Sequence, residues 1–511
     1  MNKLLYFILA LIIMAPLASC DDFLEQKSPD KLTSDNYWRN QSDALAGLAS
    51  AYSQLESFIG WDEWQEGRPV VEYYRNDMIQ PGADAFNYTW WTDLFNFSYT
   101  PGNYALNLVW KTNYRGINFC NQIIENVPNI PAEEIDEDIR KEIIAEAQYL
   151  RAYYHFKILS HYKKILIRSE VPKSDADLEQ ADSPRSEAYD FIIADLKAAA
   201  QVLSEQRSAN DIGRATKGAA NAYLGKVYLY RAAEENNPAY LTEAKNALNE
   251  VIQSGVYSLE QNFLSMFDGS NENSDESVFE LQLSSIKDGG AKYDMWLQYF
   301  MGAAEFGFWE EILGTDALVS EMKKEGKINT AGNHDSRLYE TCLFRDDYFN
   351  DSANPNVYGY TYDEWFDPST TKVNMRKYIP ASSDNFYDRS ALNMPLMRYA
   401  DILLMYAEIV NEIDGASGTT EAISLINQVR AKHGDMPAMT GTSQAEVQAQ
   451  IEHERIMEFT LEGSRFHDLR RWNKLETAMT TAGRNGFKGE MHYYLPVPEE
   501  ETNTNSLITN D

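Results

Sequence analysis

The sequence predicts a mainly α-helical protein: a tetratricopeptide-like helical repeat scaffold of about four helix pairs, with a loop-rich irregular half carrying short strands. Three observations carry this. Ala222-Tyr223-Leu224-Gly225-Lys226-Val227-Tyr228 has the leucine, glycine and tyrosine spacing of a first repeat helix, and Ala244 and Leu248 supply the small-then-large pair of a second. Long segments on either side keep a helical apolar period. Two aromatic-rich blocks, 60–103 and 256–394, break that period with glycine, asparagine, aspartate and proline. A lone hairpin cannot bury its own apolar face, so the Ala215–Ile252 stretch requires neighbours.

In chain order, Lys3 followed by the apolar Leu4–Pro16 is too short to span a bilayer and reads as a signal peptide, residues 1–19. Leu17-Ala18-Ser19-Cys20 resembles a bacterial lipobox, which assigns lipidation to Cys20 and makes 20–40 a tether. The helical-repeat region is expected over 41–255. It comprises Gln41–Phe58, an insertion at 60–103, Leu106–Val127, Asp136–Tyr162, Ser186–Leu203 and the hairpin. In Asp136–Tyr162, the residues Ile139, Ile143, Ala147, Leu150, Tyr154 and Ile158 step by three and four, and a second apolar stripe predicts burial on more than one side. The loop-rich region 256–394 contains one expected helix, Asp316–Lys324. From Pro395 a C-terminal helical region resumes, with helices at 395–410, Thr420–Lys432, Gln444–Leu461 and Ser464–Trp472. Gly463 is the break before the last of these, Ser464 is its expected N-cap, and an extended Leu495-Pro496-Val497-Pro498 tail closes the region.

Composition excludes some functions. A formal charge of -33 argues against electrostatic binding of nucleic acid or an anionic membrane surface. No CxxC or CxxH pair suggests zinc, and Cys120 and Cys342 are too far apart in sequence for a disulfide to be inferred. His453-Glu454 lacks the second histidine of a zinc-binding HExxH. Asp268–Asp275 lacks EF-hand spacing, so no metal and no cofactor is assigned. Glu458 and Glu462, four apart on a helix, suggest a catalytic pair only superficially. Like charges at that step repel unless partnered, and Arg455 and Arg465 stand at hand, so a structural charge network is the expectation and no catalytic residue is assigned.

Several segments together resemble the SusD/RagB family of outer-membrane lipoproteins. They are the lipobox with Cys20-Asp21-Asp22-Phe23-Leu24, Glu146–Tyr154, Ala222–Tyr230, Met397–Glu408, Ile426–Arg430, Glu454-Arg455 to Glu458, Glu462–Arg465, Asp468–Trp472 and Leu495–Pro498. The resemblance covers nearly the whole chain. It implies four tetratricopeptide-like helix pairs plus a loop-rich half bearing the ligand site. It also implies capture of glycan at the cell surface and its transfer to a SusC-like TonB-dependent transporter.

An aromatic content of 13%, with 32 Tyr and 10 Trp, suits such a ligand: rings cover the apolar face of a pyranose while polar side chains meet its hydroxyl rim. The candidate ligand-binding residues are Trp90, Trp91 and Asn96, with Arg75 and Asp77 just upstream, and Trp296 and Trp309 in the second block. The rival readings are a lipoprotein glycoside hydrolase and a peptide-binding adaptor of the tetratricopeptide type.

Overall fold

The computed structural model describes residues 37–56, 67–284, 297–386 and 391–510. The signal peptide, Cys20, most of the tether and Trp296 lie outside these residues. Helices dominate, and the strands are short.

The helical array builds up by sequential packing. Helices α1 (Gln41–Glu56), α2 (Tyr104–Asn126), α3 (Glu137–His161), α4 (Arg185–Val202), α5 (Lys217–Glu234) and α6 (Ala239–Ser254) each pack on the next. α6 then packs on α7 (Tyr399–Ile413), which pairs with α8 (Gly415–His433), so the array continues across the whole loop-rich insertion. Four helix pairs result, α1/α2, α3/α4, α5/α6 and α7/α8, as the repeat pattern predicts. Helix α9 (Gln444–Phe459) closes on α7 and α8, and α10 (Arg465–Arg471) follows it.

Local chemistry sets the boundaries. Asp136 caps α3 by accepting from the amides of Asp138 and Ile139, and Thr216 caps α5 by accepting from Ala219. Ser443 and Glu446 form a reciprocal capping box at the start of α9. The period in α3 is read out as burial: Ile143, Ala147, Leu150, Tyr154 and Ile158 are all 0% exposed. At Gly225 an added Cβ would stand 2.5 Å from the Leu248 side chain, so the hydrogen side chain lets α5 and α6 close on each other.

Two expectations are corrected here. The helix expected from Pro395 starts at Tyr399, because Met394–Arg398 forms a strand, β6. Its backbone groups pair antiparallel with Ser277–Leu281, β2, so the chain is held together where it leaves the array and where it returns. Ser464 occupies the N-cap position of α10, but its side chain makes no capping hydrogen bond. The tail is held as expected, with Leu495 bridging Tyr162 at the end of α3.

The loop-rich half is locked to the array by buried charge. Arg337 donates to Glu454 at 2.7 Å and Glu458 at 3.0 Å, while Arg398 donates to Glu276 at 2.7 Å and to Glu458 and Glu462 at 2.8 Å. Lys377 reaches Glu462 at 2.8 Å, and Arg430 joins Glu454 to Glu325. His433 lies between Glu458 and Glu276, at 2.9 and 3.0 Å. Glu458 and Glu462 are therefore members of a charge network, as expected, but their cations are not the expected ones. Arg455 instead serves Asp401 and Asp468, and Arg465 serves Asp77. Helix position places a charge near a partner in sequence, whereas the fold supplies a better one from a distant loop.

Candidate functional site

The first aromatic block is more ordered than its composition suggests. It contains helices Gly67–Tyr73 and Thr89–Asn96, and between them strand β1 (Ile79–Pro81). β1 pairs antiparallel with β3 (Ile312–Gly314) of the second block, and the Gly82 amide donates to the Glu311 carbonyl at 2.8 Å. The two blocks, far apart in sequence, are thereby stitched side by side. Two further strands, β4 (Cys342–Leu343) and β5 (Asn374–Met375), pair within the second block.

The stitch brings aromatic rings together. Trp90 meets Tyr104 at 5.4 Å and Trp91 at 5.2 Å, both edge to face. Trp91 meets Phe300 at 5.3 Å, Phe300 meets Trp309 at 5.1 Å, and Trp309 tilts against Tyr299 at 5.0 Å. These are the spacings of favourable ring pairs. Within this chain the middle is core and the ends are not. Trp91 and Phe300 are 3% exposed, whereas Trp90, Trp309 and Tyr299 are half-buried and Tyr104 is 42% exposed. Beside them Phe86 is 63% exposed, on a turn where exposed Asn87 donates to Asp84. Partly exposed rings backed by buried rings form a stiff surface, because no ring can rotate without displacing its neighbour.

Each candidate residue takes a definite place. Trp90 and Trp309 are the half-exposed rings, linked through Trp91 and Phe300. Trp91 is the packing between them. Asn96 is exposed, at the C-terminus of its helix, and takes no part in these ring contacts. Arg75 and Asp77 do not belong to the ring surface. Arg75 is 1% exposed, lies 4.0 Å above the Phe466 ring and donates to the His492 carbonyl, and burial lowers its pKa. Asp77 accepts both arms of the Arg465 guanidinium, at 2.9 and 2.7 Å. Both residues fasten the first block to α10 and the segment after it. The reason is geometric: the aromatic ring, carbonyl and guanidinium that they contact come from the far end of the sequence. Arg484 does similar work. It donates to the carbonyls of Tyr74, Asn76 and Phe95, and burial pushes its pKa down to about 9. Tyr104 was not singled out in the sequence because it falls at the start of a periodic helix. Asn103, which caps α2 and donates to the Trp90 carbonyl, ties the start of α2 to Trp90.

Other reactive side chains are committed. His155 and His161 are buried, and burial pushes them down to about 3 and about 4. Cys120 and Cys342 are both free and buried. Among the described residues, two groups come within ligand reach of a common ion, Glu276–His433–Glu458 and Glu325–His453–Glu454, and in both the carboxylates are held by arginines.

Fold and surface together define a class: a helical-repeat scaffold that carries a braced aromatic surface in its loop-rich half. The chain belongs to the SusD family. A model of that family matches residues 235–510, and a model described as "Starch-binding associating with outer membrane" matches residues 22–229. SusD-like protein P2 of Formosa agariphila is 26% identical, covering 98% of each chain. The crystal structure of a SusD superfamily protein from Bacteroides vulgatus superposes with a TM-score of 0.79 at 26% identity, covering 93% of this chain and 99% of that one. The surface glycan-binding protein A of Bacteroides thetaiotaomicron, in complex with laminarihexaose, shares the fold, with a TM-score of 0.72 at 19% identity over 92% and 99%. No helix among the described residues is long and apolar enough to cross a membrane.

Proposed function

We propose that this protein captures a glycan at the outer face of the outer membrane, tethered through a lipid on Cys20. From there it delivers the glycan to a SusC-like TonB-dependent transporter without cleaving it. The observation that carries this reading is the ring chain through Trp90, Trp91, Phe300 and Trp309, which joins two sequence blocks and leaves its end rings partly open. Such rings bind the C–H face of a pyranose. Support also comes from the solved structures that share the fold, one of which holds laminarihexaose. A hydrolase is disfavoured because Glu458 and Glu462 are consumed by Arg337, Arg398 and Lys377. A peptide groove would be lined by the helices rather than by the loops.

The test is affinity electrophoresis of the soluble form, lacking residues 1–20, through gels containing laminarin, starch, xylan or galactomannan, with reducing-sugar release measured in parallel. Retardation in at least one gel without sugar release supports the reading. Migration as in a blank gel throughout, or turnover of the retained polysaccharide, refutes it.

A further inference from the structure

The ring chain continues past Trp309. Tyr299 meets Phe308 at 5.3 Å, Phe308 meets Phe386 at 5.2 Å, and Phe386 meets Phe306 at 5.2 Å. Phe306 then meets Trp365 edge to face at 5.0 Å, and Trp365 meets Tyr360 at 5.4 Å. Phe306, Phe308 and Phe386 are core, at 3–4% exposed, but the chain ends in the open: Tyr360 is 52% exposed and Trp365 is half-buried.

The segment presenting these two rings is rigid. The backbones of Val357 and Tyr360 exchange hydrogen bonds of 3.0 and 3.1 Å around a two-residue turn. Both turn residues have positive φ, 53° at Tyr358 and 84° at Gly359, the form that a tight hairpin favours. Glycine takes that conformation freely and tyrosine does not, so something must hold Tyr358. Its ring is wedged against Phe306 at 5.3 Å and Phe386 at 4.7 Å. After the turn, Thr361 and Glu364 form a capping box on the single helical turn Tyr362–Trp365. The Trp365 indole N–H donates to the Val357 carbonyl at 2.9 Å, which fixes the ring plane against the hairpin. Underneath, Tyr362 stacks on Phe366 at 4.3 Å.

Exposed Asp363 and Glu364 immediately precede Trp365, and the Arg345 guanidinium holds Asp363 at 2.8 Å. Two large rings kept partly exposed at the cost of a strained backbone suit the apolar C–H face of a pyranose.

We propose that Tyr360 and Trp365 form a second carbohydrate platform. It receives a sugar unit of the same glycan chain whose other units lie on Trp90 and Trp309. This inference rests on the proposed glycan-binding function. It predicts that affinity rises with chain length once a ligand spans both platforms, because the second contact then becomes intramolecular.

The test uses the polysaccharide retained in the affinity gels, partially hydrolysed into oligosaccharides of graded length. Each length is titrated calorimetrically into the parent, Tyr360→Ala and Trp365→Phe, the last retaining an aromatic ring for packing on Phe306. Tyr360→Ala is expected to melt like the parent and to bind short oligosaccharides equally well. It should lose about tenfold in affinity for the long chains, with Trp365→Phe intermediate. Long chains bound by Tyr360→Ala as tightly as by the parent, while Trp90→Ala fails to bind them, would overturn this inference and leave the main site standing. Equal losses at every length would overturn the assignment of a separate platform. Failure of the parent to bind any of the polysaccharides would overturn both readings.

Discussion

His433 offers a sharp physical test of how the two halves are joined. It is buried on α8 between Glu458 of α9 and Glu276, which precedes β2. Arg398 and Arg337 share those carboxylates, Glu462 and Lys377 lie just beyond, and the Phe263 ring is 5.3 Å away. Burial alone would lower the imidazole pKa, but attraction to Glu458 and Glu276 more than reverses this and raises it to about 9. In the unfolded chain it returns to about 6.5. A raised folded-state pKa gives stability that is fully present below about pH 6.5 and is lost as pH rises through about 9. The rise of about 2.5, at about 1.4 kcal/mol per pH unit, amounts to about 3.5 kcal/mol in full, of which about 3 kcal/mol is lost between pH 6 and pH 9.5. In His433→Gln that contribution is absent at every pH. Urea unfolding of parent and variant from pH 6 to pH 9.5 should therefore show a stability gap about 3 kcal/mol larger at the acid end than at the alkaline end. Comparing the two proteins cancels the titration of groups remote from His433, while Glu276 and Glu458, which it touches, titrate together with it. A gap that stays constant over this range would mean that His433 is neutral when folded and that its carboxylate contacts are not ionic.

Three further outcomes are expected. Gly225→Leu should destabilise the protein by ~1–3 kcal/mol or more, since even the Cβ would stand 2.5 Å from Leu248, and an unchanged urea midpoint would contradict close packing of α5 on α6. Trp91→Ala, removing a ring that is 3% exposed, should cost ~3–5 kcal/mol of stability, and Trp90→Ala clearly less; equal losses by thermal melting would contradict the division into core and surface rings. Cys20→Ala should leave the protein uncleaved or released from the membrane, and continued lipid labelling with normal recovery in the membrane pellet would refute anchoring through that residue.

The helical array was legible because its signal is local. The step of three and four in Ile143, Ala147, Leu150, Tyr154 and Ile158 is a direct record of which face is buried, and Asp136 marks the start of α3 within one residue. The same signal misled at Met394–Arg398, where an apolar run continuous with α7 is drawn into a strand by the free edge of β2. Apolar runs alone do not distinguish the two states. The ring surface was legible only as a region. Composition located both aromatic blocks, but β1–β3 pairing decides which rings meet, and that pairing joins residues far apart in sequence. Arg75 and Asp77 illustrate the limit. Beside tryptophans they look like sugar-binding groups, yet Phe466, His492 and Arg465, nearly the whole chain away, claim them for the interior.

The central claim is that Trp90 and Trp309, linked through Trp91 and Phe300, bind glycan. The most direct measurement is calorimetric titration of the gel-retained polysaccharide into the parent, Trp90→Ala and Trp309→Ala, each with a parent-like melting profile. Loss of a platform ring should weaken binding by roughly thirtyfold, about 2 kcal/mol, with little dependence on salt because stacking a neutral sugar moves no charge. If both variants fold normally and bind as tightly as the parent, the glycan does not rest on these rings and the account is wrong.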